Sequence, residues 1–267
     1  MDKKVVFCGG GNMAELIMSA LLKKEAVKKE NVTVSELFPV RCEYLNKTYG
    51  VKAAADVTEE MKVADVIIIA VNPHQVKSVT SVVKDIISNN TIVLSIAAGI
   101  TLDILKSQLG EDKKILRVMP NTLTQTGNGH SAACVNENIT EEDKVCITGI
   151  LNALGQTMYI NENMFDTFTA YSCSGPLWFY KTVEALIDSG VYVGFRRDEA
   201  RKMVVKNMLG VAQLLDETDV HPVEKIDQMC SPGGVTIEGL KSLQEQGLNA
   251  VIMESVNAAV NKAKSIK

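Results

Sequence analysis

Two stretches of this chain concentrate the groups that a reaction would use. The first is Lys4–Leu16 (KVVFCGGGNMAEL), where Val5–Cys8 is followed by Gly9, Gly10, Gly11, Asn12, Met13 and Ala14. The pattern is G-x-G-x-x-A, with Gly9, Gly11 and Ala14 in the marked places. Gly9 permits a tight strand-to-helix turn. Gly11, lacking a Cβ, lets a pyrophosphate approach the backbone, and Ala14 keeps the helix near the strand. Free N–H groups and the helix dipole then favour phosphate charge. The second stretch is Cys230-Ser231-Pro232-Gly233-Gly234-Val235-Thr236, ahead of a helical pattern over Ile237–Gln246. Free N–H groups of Gly233, Gly234 and their neighbours suit a substrate carboxylate, and Thr236 adds a hydroxyl one turn in. A similar run, Ser172-Cys173-Ser174-Gly175-Pro176, precedes an apolar helix from about Leu177. Two well-made helix starts are the alternative reading of these runs, since Ser caps and Pro fits a first turn. Cys173 and Cys230 lie inside them, and thiols at helix starts are expected to be partly accessible and reactive.

The elements that must position these groups are legible as alternating strands and helices. Asn31–Ser35 reads as a second strand ending at Glu36, about 20 residues beyond the glycines, where an acid accepts the ribose 2′-OH of NAD. A helix follows over roughly Val40–Tyr49. Asp65–Val71 and Thr91–Ile96 are continuous apolar runs, as strands buried on both faces require. Lys114–Met119 is a further strand, with helices between at Gln75–Ile87 and Thr101–Leu109. Asn72-Pro73, Ala97–Gly99 and Pro120–Thr122 fall at the carboxyl ends of strands, where ligands bind in such sheets. Ser131–Val135 and Thr157–Ile160 add edge strands around a helix at Glu141–Leu154. Beyond about Phe165 the pattern is helical, strongest over Asp198–Thr218, where Asp198 is the expected cap, and over Asn249–Lys264. The expected fold is therefore α/β: an N-terminal Rossmann-like doubly wound sheet over residues 1–162, then an all-helical domain over 163–267. So small a helical domain with Met- and Ala-rich faces is expected to pack on a second copy.

Composition narrows the function classes. The chain has 267 residues, is 46% hydrophobic and carries a formal net charge of -4, so nothing points to nucleic acid or an anionic membrane. No apolar run is long enough to span a bilayer. Lys3 and Lys4 lead straight into a strand, so no signal peptide is expected. The six cysteines have no C-x-x-C spacing and the three histidines, 74, 130 and 221, are far apart, so no metal is expected and a reduced cytoplasm is the expected home.

GGGNMAE, AVNPH, SIAAGIT, RVMPNT, SCSGP and CSPGGVTIEGL occur in the order of the pyrroline-5-carboxylate reductase family, which the chain resembles from about Lys4 to Ala263. The resemblance implies NAD(P)H-dependent reduction of 1-pyrroline-5-carboxylate to proline, and a helical dimer with further assembly left open. It implies a cofactor site at Gly9, Gly11, Asn12, Met13, Ala70, Val71, Asn72, Pro73, Ala97, Ala98 and Asn121, with Gly99, Met119 and Pro120 in the same wall. Ser35 and Glu36 join this set from their place at the end of the second strand. It implies substrate binding by Ser231, Gly233, Gly234 and Thr236, with Thr236 near the ring nitrogen. Relative to the family, this chain has Asn72 for Lys, Cys173 for Gly, Leu123 for Pro, Trp178 near a usual Tyr, and Val57 near a usual Asn. A related reductase of another cyclic imine stays open. So does a hydroxyacid dehydrogenase of similar plan, for which Lys181 is the only candidate base in Trp178–Ile187, and so does a non-catalytic nucleotide sensor. Glu36 favours NADH over NADPH, because a 2′-phosphate there meets like charge. Arg41, five residues on, reverses that expectation if it folds onto the phosphate.

Overall fold

The computed structural model describes residues 2–265. One compact unit holds the chain through Cys173 and its C-terminal residues from Lys262; the other is Ser174–Asn261.

The first unit is an eight-stranded sheet. Strand β1 (Val5–Cys8) leads into helix α1 (Asn12–Lys23), then β2 (Val32–Ser35) and α2 (Pro39–Tyr49). A short β3 (Lys52–Ala54) and α3 (Thr58–Lys62) precede β4 (Val66–Ile69), α4 (Val76–Ile86), β5 (Ile92–Ser95), α5 (Leu102–Leu109) and β6 (Lys114–Pro120). After β7 (His130–Val135), α6 (Glu141–Leu154) crosses to β8 (Gln156–Tyr159). The spatial order is β3-β2-β1-β4-β5-β6-β7-β8, and every pair is parallel except β6–β7.

The central strands β1 and β4 are apolar throughout because both faces are covered. Along β1, Val5 and Phe7 join the core that contains Leu21 of α1 and Ile147 of α6. Val6 and Cys8 point the other way, into the core that contains Val76, Val83 and Leu105 of α4 and α5. Burying a side chain such as Phe7 contributes about 1.5–3 kcal/mol. Strand β3 escapes the sequence pattern because Ala53 is its one buried residue, too little for an alternation to register. The chain leaves the sheet through α7 (Phe165–Phe168) and a π-helical turn over Thr169–Cys173.

The second unit is all helical: α8 (Gly175–Tyr192), α9 (Arg197–Asp216), α10 (Pro222–Met229), α11 (Val235–Glu245) and most of α12 (Leu248–Ser265). Helix α9 is not capped by Asp198. Arg196 takes the cap position, its N–H donates to Glu199 at 3.2 Å, and Asp198 instead pairs with the Arg196 guanidinium. Helix α8 is tied to α12 by the Trp178 indole donating to Ser255 at 2.8 Å. Within this unit, Pro176 and Ala200 are the only described residues that the chain itself buries. Tyr192 is 91% exposed, Met253 72% and Met229 66%, so the apolar faces of these helices stand uncovered in a single chain. That much exposed apolar surface marks an interface.

Candidate functional site

The carboxyl edge of the sheet is drawn together at Gly9. Its N–H donates to Ser35 O at 2.9 Å, and Ala70 N–H donates to Cys8 O at 2.9 Å, so the ends of β1, β2 and β4 are locked in register. Gly9 has φ +102°, and a Cβ there would lie 2.7 Å from Ala70 O and 2.8 Å from Val71 Cγ1. Gly11 is the opposite case. A Cβ on it would meet nothing within 4 Å, so this glycine is not needed for packing and leaves open space beside the backbone. No side chain caps α1 at Gly11, which leaves the first-turn N–H groups of Asn12, Met13 and Ala14 without helical acceptors. Open space and orphan donors at a helix start fit a pyrophosphate.

Glu36 turns back on the loop. Its Oε2 accepts from Gly10 N–H and its Oε1 from Phe38 N–H, each at 3.0 Å, and among the described residues it has no ion pair. One lone pair on each oxygen stays available, enough for ribose hydroxyls. Arg41 does not sit free beside it. Its Nε donates to Gly10 O at 2.6 Å, and its Nη2 pairs with Glu15 Oε2 at 2.5 Å. Tyr44 and Tyr49 hydroxyls donate to the other Glu15 oxygen at 2.9 and 2.7 Å. Burial pushes the Glu15 carboxyl up, but the Tyr49, Arg41 and Tyr44 bonds outweigh it and hold the group below the usual carboxylate range. Burial and Glu15 together push the Tyr49 phenol up to about 12. Nothing in the sequence pattern singles out Glu15, Tyr44 or Tyr49. The one signal is the stripe Arg41, Leu45, Tyr49 on α2, which the buried Leu45 carries under Gly10.

Ala70, Val71, Asn72 and Pro73 follow β4, and Ala97 and Ala98 follow β5, so the structure lines them along the same carboxyl edge as the glycine loop. Asn72 opens a 3-10 turn, its N–H donating to Gln75 Oε1 at 3.2 Å. Asn121 follows β6 but is buried. Its Oδ1 accepts from Leu123 and His130 N–H at 3.1 and 3.3 Å, and its Nδ2 donates to Ser172 O at 3.4 Å. That side chain fixes the loop.

In the second unit Ser231–Thr236 forms a turn at the start of α11. Gly234 N–H donates to Ser231 O at 3.0 Å, so this amide is not one of the free donors. Gly233 has φ +68°, a conformation that favours glycine, whereas a Cβ on Gly234 would lie 2.4 Å from the Ser231 Oγ, a hydroxyl that can rotate away. No side chain caps α11. The open donors are therefore Gly233 and the first-turn groups of Val235, Thr236 and Ile237, with the Thr236 hydroxyl exposed beside them. Ser172-Cys173 behaves differently from its expectation. Cys173 ends the π-helical turn rather than starting α8, its thiol donates to Pro120 O at 3.5 Å, and burial pushes it up to about 12. Burial of this kind disfavours the thiolate, the form in which a cysteine reacts. Lys181, the candidate base of a hydroxyacid dehydrogenase, is exposed in the single chain and paired with Glu184 at 2.5 Å, which raises its pKa.

Comparison with known proteins places the chain. Residues 162–266 match the family model for pyrroline-5-carboxylate reductase dimerisation, and residues 4–99 match that for NADP oxidoreductase, coenzyme F420-dependent. The pyrroline-5-carboxylate reductase of Escherichia coli (strain K12) is 33% identical, covering 100% of this chain and 99% of the relative. The solved pyrroline-5-carboxylate reductase from Coxiella burnetii superposes with TM-score 0.91 at 29% identity, over 99% of this chain and 98% of that one. The Plasmodium falciparum pyrroline carboxylate reductase, solved with NADP bound, gives TM-score 0.87 at 29% identity, over 98% and 97%. The chain belongs to the pyrroline-5-carboxylate reductase family.

The two glycines separate folding from binding. Gly9→Ala is expected to lower unfolding free energy by about 2 kcal/mol or more, through backbone collision and an unfavourable φ. Gly11→Ala is expected to leave stability within about 1 kcal/mol and to weaken dinucleotide binding at least tenfold. Thermal melts and fluorescence titration with NADH check both, and a Gly11→Ala protein that binds as wild type contradicts the site.

Proposed function

We propose that this chain reduces 1-pyrroline-5-carboxylate to L-proline with NADH or NADPH, the last step of proline biosynthesis, as a cytoplasmic homodimer or larger assembly. The observation that carries the reading is the full-length relationship to enzymes named for this reaction, met in the same chain by the open glycine loop and the uncapped Ser231–Thr236 turn. Residues 1–162 hold the dinucleotide and residues 163–267 bind substrate and dimerise. No helix among the described residues is long and apolar enough to cross a membrane.

The chain's own residues need to do little. When bound, the reduced nicotinamide supplies hydride. A cyclic imine, once protonated, is already electrophilic at carbon, so orientation matters more than a strong acid. Gly9, Gly11, Asn12 and Met13 hold the pyrophosphate; Ser35 and Glu36 hold the ribose. Ala70–Pro73, Ala97, Ala98 and Asn121 form the wall along the nicotinamide side. Ser231, Gly233, Gly234 and Thr236 hold the substrate: the donors at the start of α11 take the carboxylate, and the Thr236 hydroxyl keeps the proton on the ring nitrogen. The product nitrogen retains that proton, so no general base is required. The uncovered faces of α8–α12 are the surface a second copy buries, in agreement with the dimerisation model that spans them.

Activity is tested by NADH and NADPH consumption with 1-pyrroline-5-carboxylate, beside a ketoacid and a piperideine carboxylate. Turnover with the ketoacid alone would refute the reading. Thr236→Val is expected to cut kcat about tenfold to a hundredfold with cofactor affinity unchanged, since one oriented hydrogen bond to a reacting group is worth roughly 1–3 kcal/mol. Wild-type kcat and KM in that variant would make Thr236 a plain helix residue.

Cofactor choice follows from Glu36, whose carboxylate has no ion pair among the described residues while Arg41 is held by Glu15. A 2′-phosphate about 4 Å away costs roughly 4 kcal/mol at an effective dielectric near 20, before screening. NADH is the preferred donor, and Glu36→Ser is expected to shift kcat/KM toward NADPH. A wild-type preference for NADPH, or an unchanged ratio in Glu36→Ser, contradicts this.

A further inference from the structure

We infer that Arg41 is a positioning residue for the dinucleotide: it aims the phosphate-binding amides of the glycine loop by holding that loop's carbonyls from behind. The inference rests on the dinucleotide-binding reading above and adds a residue to it.

The peptide unit is planar and trans, so its C=O and N–H point in opposite directions. Arg41 Nε donates to Gly10 O at 2.6 Å. The N–H of that same peptide unit belongs to Gly11 and is therefore directed away from Arg41. The next carbonyl, Gly11 O, accepts from Glu15 N–H at 2.9 Å within the helix and lies 3.5 Å from Arg41 Nη2. This directs Asn12 N–H the same way. Gly10 is held on both sides, because its own N–H donates to Glu36 Oε2 while its C=O accepts from Arg41. Three consecutive glycines have no side chains to restrict φ and ψ, so an unclamped loop of this sequence samples many peptide orientations. A charged, forked donor on one face reduces that freedom.

The clamp is itself built. Glu15 fixes the guanidinium, and Tyr44 and Tyr49 fix Glu15 with two hydroxyls. The guanidinium carbon lies 5.0 Å from the Tyr44 ring centroid, a cation–π distance. The Arg41 and Glu15 side chains are 25% and 18% exposed, so the pair is sheltered from the solvent that weakens surface ion pairs. Held this way, Arg41 acts on the pyrophosphate common to both dinucleotides and not on a 2′-phosphate.

Arg41→Gln, Arg41→Lys and Tyr49→Phe test this in the full-length protein. Dissociation constants for NADH and NADPH, kcat and melting temperature are measured for each. Arg41→Gln is expected to raise both dissociation constants about tenfold or more, by factors that agree within about twofold, with kcat at saturation within about threefold of wild type. Arg41→Lys is expected to restore little, because an ammonium on a flexible stem cannot reproduce the fork. Tyr49→Phe, which loosens only Glu15, is expected to weaken both dinucleotides equally and by less. Loss confined to NADPH overturns the inference and makes Arg41 a 2′-phosphate ligand. Unchanged affinity for both overturns it while leaving the proposed reaction intact. A wild type that binds neither dinucleotide overturns both.

Discussion

The close approach of Gly9 to the Ala70 carbonyl is the constraint on which the first unit's carboxyl edge depends. With any side chain at Gly9, β1 cannot end where Ser35 O and Cys8 O accept their bonds, because a Cβ would stand 2.7 Å from a backbone oxygen. That junction fixes where α1 begins and therefore where its orphan N–H groups point. It also fixes the distance from the loop to the end of β2, where Glu36 reaches back to Gly10. The neighbouring glycines are needed for other reasons. Gly10 is crowded by Leu45 and Glu36, whereas a Cβ on Gly11 would meet nothing within 4 Å and the fold leaves that space unused. One loop thus holds a glycine for folding, a glycine for packing and a glycine that leaves open space.

The second unit obeys a different rule. Its helices have apolar faces at helical spacing, yet the single chain buries almost none of them. Helix α8 to α12 contacts such as Trp178 to Ser255 order the unit but supply no core. Its stability therefore depends on association, and a variant that weakens the helical interface acts on folding without touching a functional group.

The strands with residues buried on both faces are plain in the sequence because every position is apolar, and the glycine loop is plain because strand and helix flank it. What the sequence hides is either short or long-range. Strand β3 has one buried residue, and α10 starts at Pro222 with His221 Nδ1 accepting from Val223 N–H, a cap that no apolar periodicity announces. Asp198 has the composition of a cap, but the helix begins two residues earlier than that role requires, with Arg196 at the cap position. The Arg41–Glu15–Tyr49 cluster joins residues 26 and 34 positions apart, each of which taken alone reads as surface polarity on a helix. Cys173 and Gly234 carry the same lesson. Their neighbours in sequence suggest a reactive thiol and a free amide, whereas Pro120 O and Ser231 O already take those hydrogens.

Hydride transfer from a nicotinamide cofactor to a cyclic imine is the reaction that this chain's full-length relatives are named for. Its most direct test uses NADH deuterated at both C4 positions, with 1-pyrroline-5-carboxylate and a competing ketoacid in one reaction. Mass spectrometry of the products is expected to find L-proline carrying a single deuterium at the former imine carbon, formed in step with NADH oxidation, and no labelled hydroxyacid. Proline without deuterium, or label in the hydroxyacid alone, would contradict it.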